Sequence, residues 1–187
     1  MIPEGYSPDN ILKNRRTLIV EDDKGLSKRI AQLFQENTGI EPSIANFMQE
    51  ATKILSESEG FDLVIIDIML PKTLEDFNII QEYEKVLDET RAVIEKYGSQ
   101  SFDPTENIQL FDARYRRSEA LNQINKHILR EGGIYLVDEW HRIAETQNKI
   151  LAVLFLTAVG NPDAIKKGLT LIDGISDWVV KPVSSEE

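Results

Sequence analysis

The sequence predicts an α/β protein: a doubly wound parallel sheet interrupted by a long helical hairpin. Three observations predict it. Apolar runs of strand length, around Thr17–Val20, Phe61–Ile66 and Ile150–Leu156, alternate with segments of helical period. Two of those runs stop at acids, Glu21-Asp22-Asp23 and Asp67. Between Leu74 and Ile128 the period is helical throughout, with a turn near Gly98–Phe102.

The chain has 187 residues, enough for one domain with a sizeable core or a domain carrying a large insertion. It holds no cysteine, so a disulfide framework and a thiolate metal site are both excluded. A net charge of -11 argues against a nucleic-acid backbone as partner, which needs a basic footprint. No apolar run reaches the roughly 18–20 residues of a membrane span. Met1 to Asn14 lacks the basic start and apolar stretch of a signal peptide. The expectation is a soluble, cytoplasmic protein without a membrane partner.

Residues 1–15 are polar with Pro3, Gly5 and Pro8, and read as a loose leader. After the strand at Thr17–Val20, Leu26, Ile30, Leu33 and Phe34 predict a helix that stops near Gly39. Pro42 to Phe47 is a second strand, and Met48 to Ser58 a helix with Ala51, Ile54 and Leu55 inward. The third strand runs to Asp67 as a continuous apolar run, the pattern of a strand covered on both faces. Leu74, Phe77, Ile80, Tyr83, Leu87, Ile94 and Tyr97 then predict one long helix. Asp103-Pro-Thr-Glu106 opens a second, with Ile108, Phe111, Tyr115, Leu121, Ile124 and Ile128 as its inward face. The first arm is mainly acidic and the second carries Arg114, Arg116, Arg117, Lys126 and Arg130, so the two are complementary. A helix over Ile134–Thr146, a strand to Leu156, a helix opening at Asn161-Pro162 and a strand from Trp178 complete the pattern.

An acid at the C-terminal end of a parallel strand lies on the edge where α/β sheets bind ligands. If the first and third strands are neighbours, Glu21, Asp22 and Asp67 converge there. Adjacent carboxylates repel, and their oxygens suit Mg²⁺.

Together these residues resemble the receiver domain of bacterial response regulators, over 16–71 and 132–183. Leu18-Ile-Val-Glu-Asp-Asp23 matches the acidic pair, Ile66-Asp-Ile-Met-Leu-Pro71 the phosphoacceptor strand, Leu156-Thr-Ala158 the switch hydroxyl and Lys181-Pro182 the last-strand lysine. The resemblance implies a CheY-like, flavodoxin-like sheet of five parallel strands in the order 2-1-3-4-5. It implies a phosphoacceptor of a two-component system or phosphorelay, with Asp67 taking a phosphoryl group from a histidine kinase or histidine phosphotransfer protein. Glu21, Asp22, Asp67 and the Met69 backbone carbonyl would hold Mg²⁺. Lys181 would pair with Asp67, and Thr157 and Trp178 would form the switch, Trp standing where the family usually has Tyr or Phe. Such a protein is no enzyme beyond its own phosphorylation and dephosphorylation.

Two features depart from the family. Its glycine shortly after the third-strand proline corresponds to Gly133, so about 58 residues are inserted beside Asp67, which costs little loop entropy. The expected division is thus 16–71 and 132–187 for the receiver and 72–131 for an inserted antiparallel hairpin, available to a partner or a homodimer. The chain also stops where a last helix is expected. The rival reading is a pseudo-receiver scaffold in which the hairpin does the work without phosphorylation. A haloacid-dehalogenase phosphatase would want a second Asp where Met69 stands, and no G-x-x-x-x-G-K or G-x-G-x-x-G occurs. His127 and His141 lack ligand-spaced partners.

Overall fold

The structure, a computed structural model, describes residues 15–58, 60–98, 104–146, 152–157 and 176–180. In chain order it contains β1 (Thr17–Val20), α1 (Lys24–Thr38), β2 (Ser43–Ala45), α2 (Met48–Glu57), β3 (Leu63–Asp67) and β4 (Leu70–Pro71). There follow α3 (Leu74–Gly98), α4 (Pro104–His127), β5 (Ile128–Leu129), α5 (Gly132–Thr146), β6 (Ala152–Thr157) and β7 (Ser176–Val180).

The main sheet is parallel, in the order β2-β1-β3-β6-β7. Strand residues alternate between its two faces, and the two cores divide them accordingly. Leu18, Val20, Val64, Ile66, Val153 and Phe155 face α2 and α5, where Ala51, Ile134, Leu136, Val137 and Trp140 complete one core. Ile19, Ile65 and Leu156 face the other way and meet Ala31, Ile30 and Phe34 of α1. Both faces of β1 and β3 are therefore covered, which is why their sequences are continuously apolar.

The helix ends follow local chemistry. Asp23 caps α1, its side chain accepting from Gly25 N at 2.7 Å and Leu26 N at 2.9 Å. Gly39 closes that helix with φ 75°, a left-handed turn that glycine adopts without a side-chain clash. Thr73 and Asp76 cap α3 reciprocally: Asp76 Oδ2 accepts from Thr73 N at 3.1 Å, and Asp76 N donates to Thr73 Oγ1 at 3.1 Å.

α3 and α4 lie side by side and antiparallel. Asp76 meets His127 Nδ1 at 2.9 Å near their base, and Glu89 meets Arg116 at 3.1 Å further out. Below the base a second, two-stranded sheet pairs Leu70 with Leu129 and Pro71 with Ile128. This ribbon has no signal in the sequence, because two residues are too few to show a period.

The inward face of α4 is not the one expected. Ile108, Phe111, Tyr115 and Leu121 are exposed, while Leu110, Ala113 and Ala120 are buried. Apolar residues occur on opposite sides of this helix, so spacing alone could not choose between them. Ala113 and Ala120, seven residues apart, offer α3 a closer approach than the larger side chains would. On α3, Phe77, Ile80 and Thr90 are buried, and the Thr90 hydroxyl donates to the Val86 carbonyl at 2.8 Å, so its polar atom is satisfied. Leu33 and Leu74, which belong to the apolar spacing of α1 and α3, are exposed.

Candidate functional site

The pairing of β1 with β3, Val20 against Ile66, brings the two acid-ended strands to one edge of the sheet. There Glu21, Asp22 and Asp67 each offer a carboxylate oxygen, and these atoms lie within 4.8 Å of one another. Glu21 is fully buried and Asp67 is 5% exposed. Two buried carboxylates with a third beside them repel strongly in a poorly solvated place, and a cation relieves that repulsion. All-oxygen donors at this spacing, with Asp22 open to water, fit a hard divalent ion such as Mg²⁺.

Backbone contacts hold the acids in place. Glu21 N donates to the Ala45 carbonyl at 3.0 Å, and Glu21 Oε1 accepts from Asp23 N at 3.2 Å. Asn46 Nδ2 donates to the Glu21 carbonyl at 2.7 Å, tying the loop after β2 to the loop after β1. Asp67 Oδ1 accepts from Met69 N at 3.2 Å, and Ile68 N donates to the Leu156 carbonyl at 3.1 Å. Gly133 N donates to the Ile68 carbonyl at 3.1 Å, which places the start of α5 against the back of this loop.

The third acid of the first cluster has a different task. Asp23 is committed to the α1 cap, so Glu21 and Asp22 are the members of that run that join Asp67. Thr157 ends β6, one position past Leu156, the register partner of Asp67, and pairs with Val180; Trp178 pairs with Phe155. Thr157 and Trp178 are described by their backbone alone, and Lys181 lies outside the described residues. His127 binds Asp76 in the arm, away from the acids.

Sequence reasoning passed over two contributors. Asn46 had no signal. Glu84 of α3 lines a cleft of about 430 Å³ with Asp23, Gln81 and Asp88. Burial, then the charges of Asp23 and Asp88, push its carboxyl above the usual range. The arm therefore leans on the loop that carries two of the site acids. Lys24 Nζ over the Phe77 ring, 4.8 Å from its centroid, is a second contact there.

The described residues contain no helix long and apolar enough to cross a membrane. The chain matches no family model and no curated protein. Receiver domains are among the solved structures it resembles. One is the Francisella response regulator 1452 receiver domain, at 21% identity over 91% of this chain and 87% of that one, with a TM-score of 0.48. Another is the Vibrio cholerae chemotaxis protein CheY4, at 16% identity over 91% and 88%, TM-score 0.42. A third is the receiver of yeast Ssk1, solved with the phosphotransfer protein Ypd1, at 20% identity over 92% and 81%, TM-score 0.42. The parallel order β2-β1-β3-β6-β7 is itself the flavodoxin-like order.

Proposed function

We propose that the chain is a phosphoacceptor receiver of a two-component or phosphorelay system, modified at Asp67. The observation that carries this reading is the convergence of Glu21, Asp22 and Asp67 within 4.8 Å at the C-terminal edge of adjacent strands. A structural strand-end aspartate needs no second and third acid beside it. A phosphoacceptor does, because phosphoryl transfer is catalysed mainly by charge neutralisation and positioning.

A bound Mg²⁺ supplies neutralisation of the phosphoryl oxygens. The chain supplies the rest. Glu21, Asp22, Asp67 and the Met69 carbonyl are the proposed ligands. One Asp67 oxygen attacks phosphorus; the new P–O bond forms as the bond to the donor's imidazole nitrogen breaks, and the electron pair leaves with that nitrogen. Lys181 pairs with Asp67 and then with the phosphoryl group. Thr157 donates to the same group, drawing its loop inward, and Trp178 repacks. The partner is a phosphohistidine protein. The only reactions catalysed are the chain's own phosphorylation and dephosphorylation.

Intact-mass spectrometry after incubation with Mg²⁺ and acetyl phosphate tests this, with Asp67→Asn alongside. The expected result is one added phosphoryl group, absent in the variant and without Mg²⁺. A folded sample that binds Mg²⁺ and yet refuses both acetyl phosphate and phosphohistidine donors would overturn it. The scaffold reading, in which the helical arm works without phosphorylation, would then stand, and the exposed apolar residues of α4 favour it as the second choice.

A further inference from the structure

On the side of α4 turned away from α3, Ile108, Phe111 and Tyr115 are 69%, 73% and 65% exposed. They are spaced three and four residues apart and so form one stripe along two turns of the helix. A single exposed apolar side chain is ordinary; three in line, two of them aromatic, form a contact surface.

We propose that this stripe is the seam of a homodimer in which the α4 helices of two copies lie parallel and in register. Heptad geometry and charge pick out this occupant. With Ile108 and Tyr115 at first positions and Phe111 at a fourth, the next inner positions are Ser118 and Asn122. Arg114 then takes a seventh position and Glu119 the fifth position of the following heptad, the two sites that pair across a parallel coiled coil. The two-fold axis makes that pair twice. An antiparallel arrangement brings like flanks together instead: acid beside acid along the Asp112 and Glu119 side, and arginine beside arginine at Arg114. Asn122 at an inner position also favours one register.

The expected strength follows from the area. Three side chains from each copy bury on the order of 700 Å², short of the ~1,200–2,000 Å² of a stable standard interface. Polar residues take over the inner positions beyond Tyr115. Association is therefore in the micromolar range, and the two arms form a flat layer of four helices.

Sedimentation velocity of the full chain from about 1 µM to a few hundred µM reads the mass, expected to rise from 21.3 kDa toward twice that value. Phe111→Glu keeps the protein monomeric throughout. Arg114→Glu weakens the dimer about threefold to tenfold, and adding Glu119→Arg restores it. Orientation is read by single cysteines, since the chain has none of its own. Ser118→Cys, an exposed and conservative change, forms a disulfide-linked dimer under mild oxidation, whereas Gln109→Cys on the flank does not. A monomer at every concentration would sink the proposal. So would a dimer that ignores Phe111→Glu, a charge swap that fails to restore association, or equal cross-linking at 109 and 118. None of these readouts depends on phosphorylation, so failure here is separable from failure of the proposed function.

Discussion

Gly133 leaves no room for a side chain over Asp67: a Cβ built there would lie 2.0 Å from the Asp67 carbonyl oxygen and 3.2 Å from Ile66 Cγ1. The start of α5 and the end of β3 are in backbone contact at the proposed phosphoacceptor. Gly133→Ala must push the two apart, and the Gly133–Ile68 hydrogen bond goes with them. The expected cost is about 3 kcal/mol in urea unfolding. Gly39→Ala is the comparison, since it meets nothing within 4 Å and strains only φ. It should cost about 1–2 kcal/mol and leave the acid site alone. Equal losses from the two substitutions would contradict the close contact.

The carboxylate cluster predicts that Mg²⁺ stabilises the fold without any phosphodonor. A ligand at a hundredfold excess over its Kd adds about 2.7 kcal/mol. Thermal denaturation should show a higher Tm with Mg²⁺ than with EDTA. Asp22→Asn, which removes a donor but stays partly solvated, should lose most of that rise. An unchanged Tm response in Asp22→Asn would remove this residue from the site.

At the base of the arm, burial opposes ionisation of Asp76, but hydrogen bonds from His127 and Thr73 outweigh it and hold the carboxyl below its ordinary 3.8. The unfolded chain then binds this proton more readily than the folded one. The stabilisation is present above the unfolded value and is lost as pH falls through the lower folded value. Thr73→Ala, which removes the cap, should cost about 1 kcal/mol at neutral pH. Asp76→Asn should flatten the acid limb of the stability curve below pH 3.8. An unaltered acid limb would mean that the clasp contributes nothing.

Glu84 has the opposite sign. Burial, then Asp23 and Asp88, raise its carboxyl above the ordinary 4.5, so the folded state binds this proton more tightly. Stability from this group is greatest below 4.5 and declines as pH rises through the folded value. Glu84→Gln should raise the urea midpoint at pH 7 and leave it unchanged at acid pH. If the variant is less stable at pH 7, the carboxylate has a partner that outweighs its burial.

The small ribbon shows where the arm can be cut. Replacing residues 73–126 by an Asn-Gly turn joins strands already paired, Pro71 with Ile128 and Leu70 with Leu129. The shortened protein should fold, with a modest loss because Phe47 no longer meets Phe77 at 5.9 Å. It should still take up a phosphoryl group at Asp67. Failure of a folded, shortened protein to be phosphorylated would make the arm part of the site.

Strands β1 and β3 were legible because burial on both faces writes a continuous apolar run, and their terminal acids stand out against it. The Asp67 loop was legible for the same reason. The face of α4 was not. Its burial depends on the fit of Ala113 and Ala120 against α3, and small residues carry little weight in any apolar pattern. Glu84 was hidden because its neighbour Asp23 lies 61 positions earlier, and nothing local marks a distant acid. Gly133 could be matched by resemblance, but its physical necessity appears only when Asp67 O is seen behind it.

The Leu70–Leu129 ribbon is also a fulcrum. It lies three residues past the proposed phosphoacceptor, and the two helices above it are each about 36 Å long. Helices packed about 9 Å apart give such a pair a mechanical ratio of roughly four. A sliding of 1 Å between Pro71 and Ile128 becomes about 4 Å of sideways travel at the tip, several times the shift at its source. If phosphorylation shifts the strands beside Asp67, an arm of this length would carry that shift outward to where a second molecule meets it.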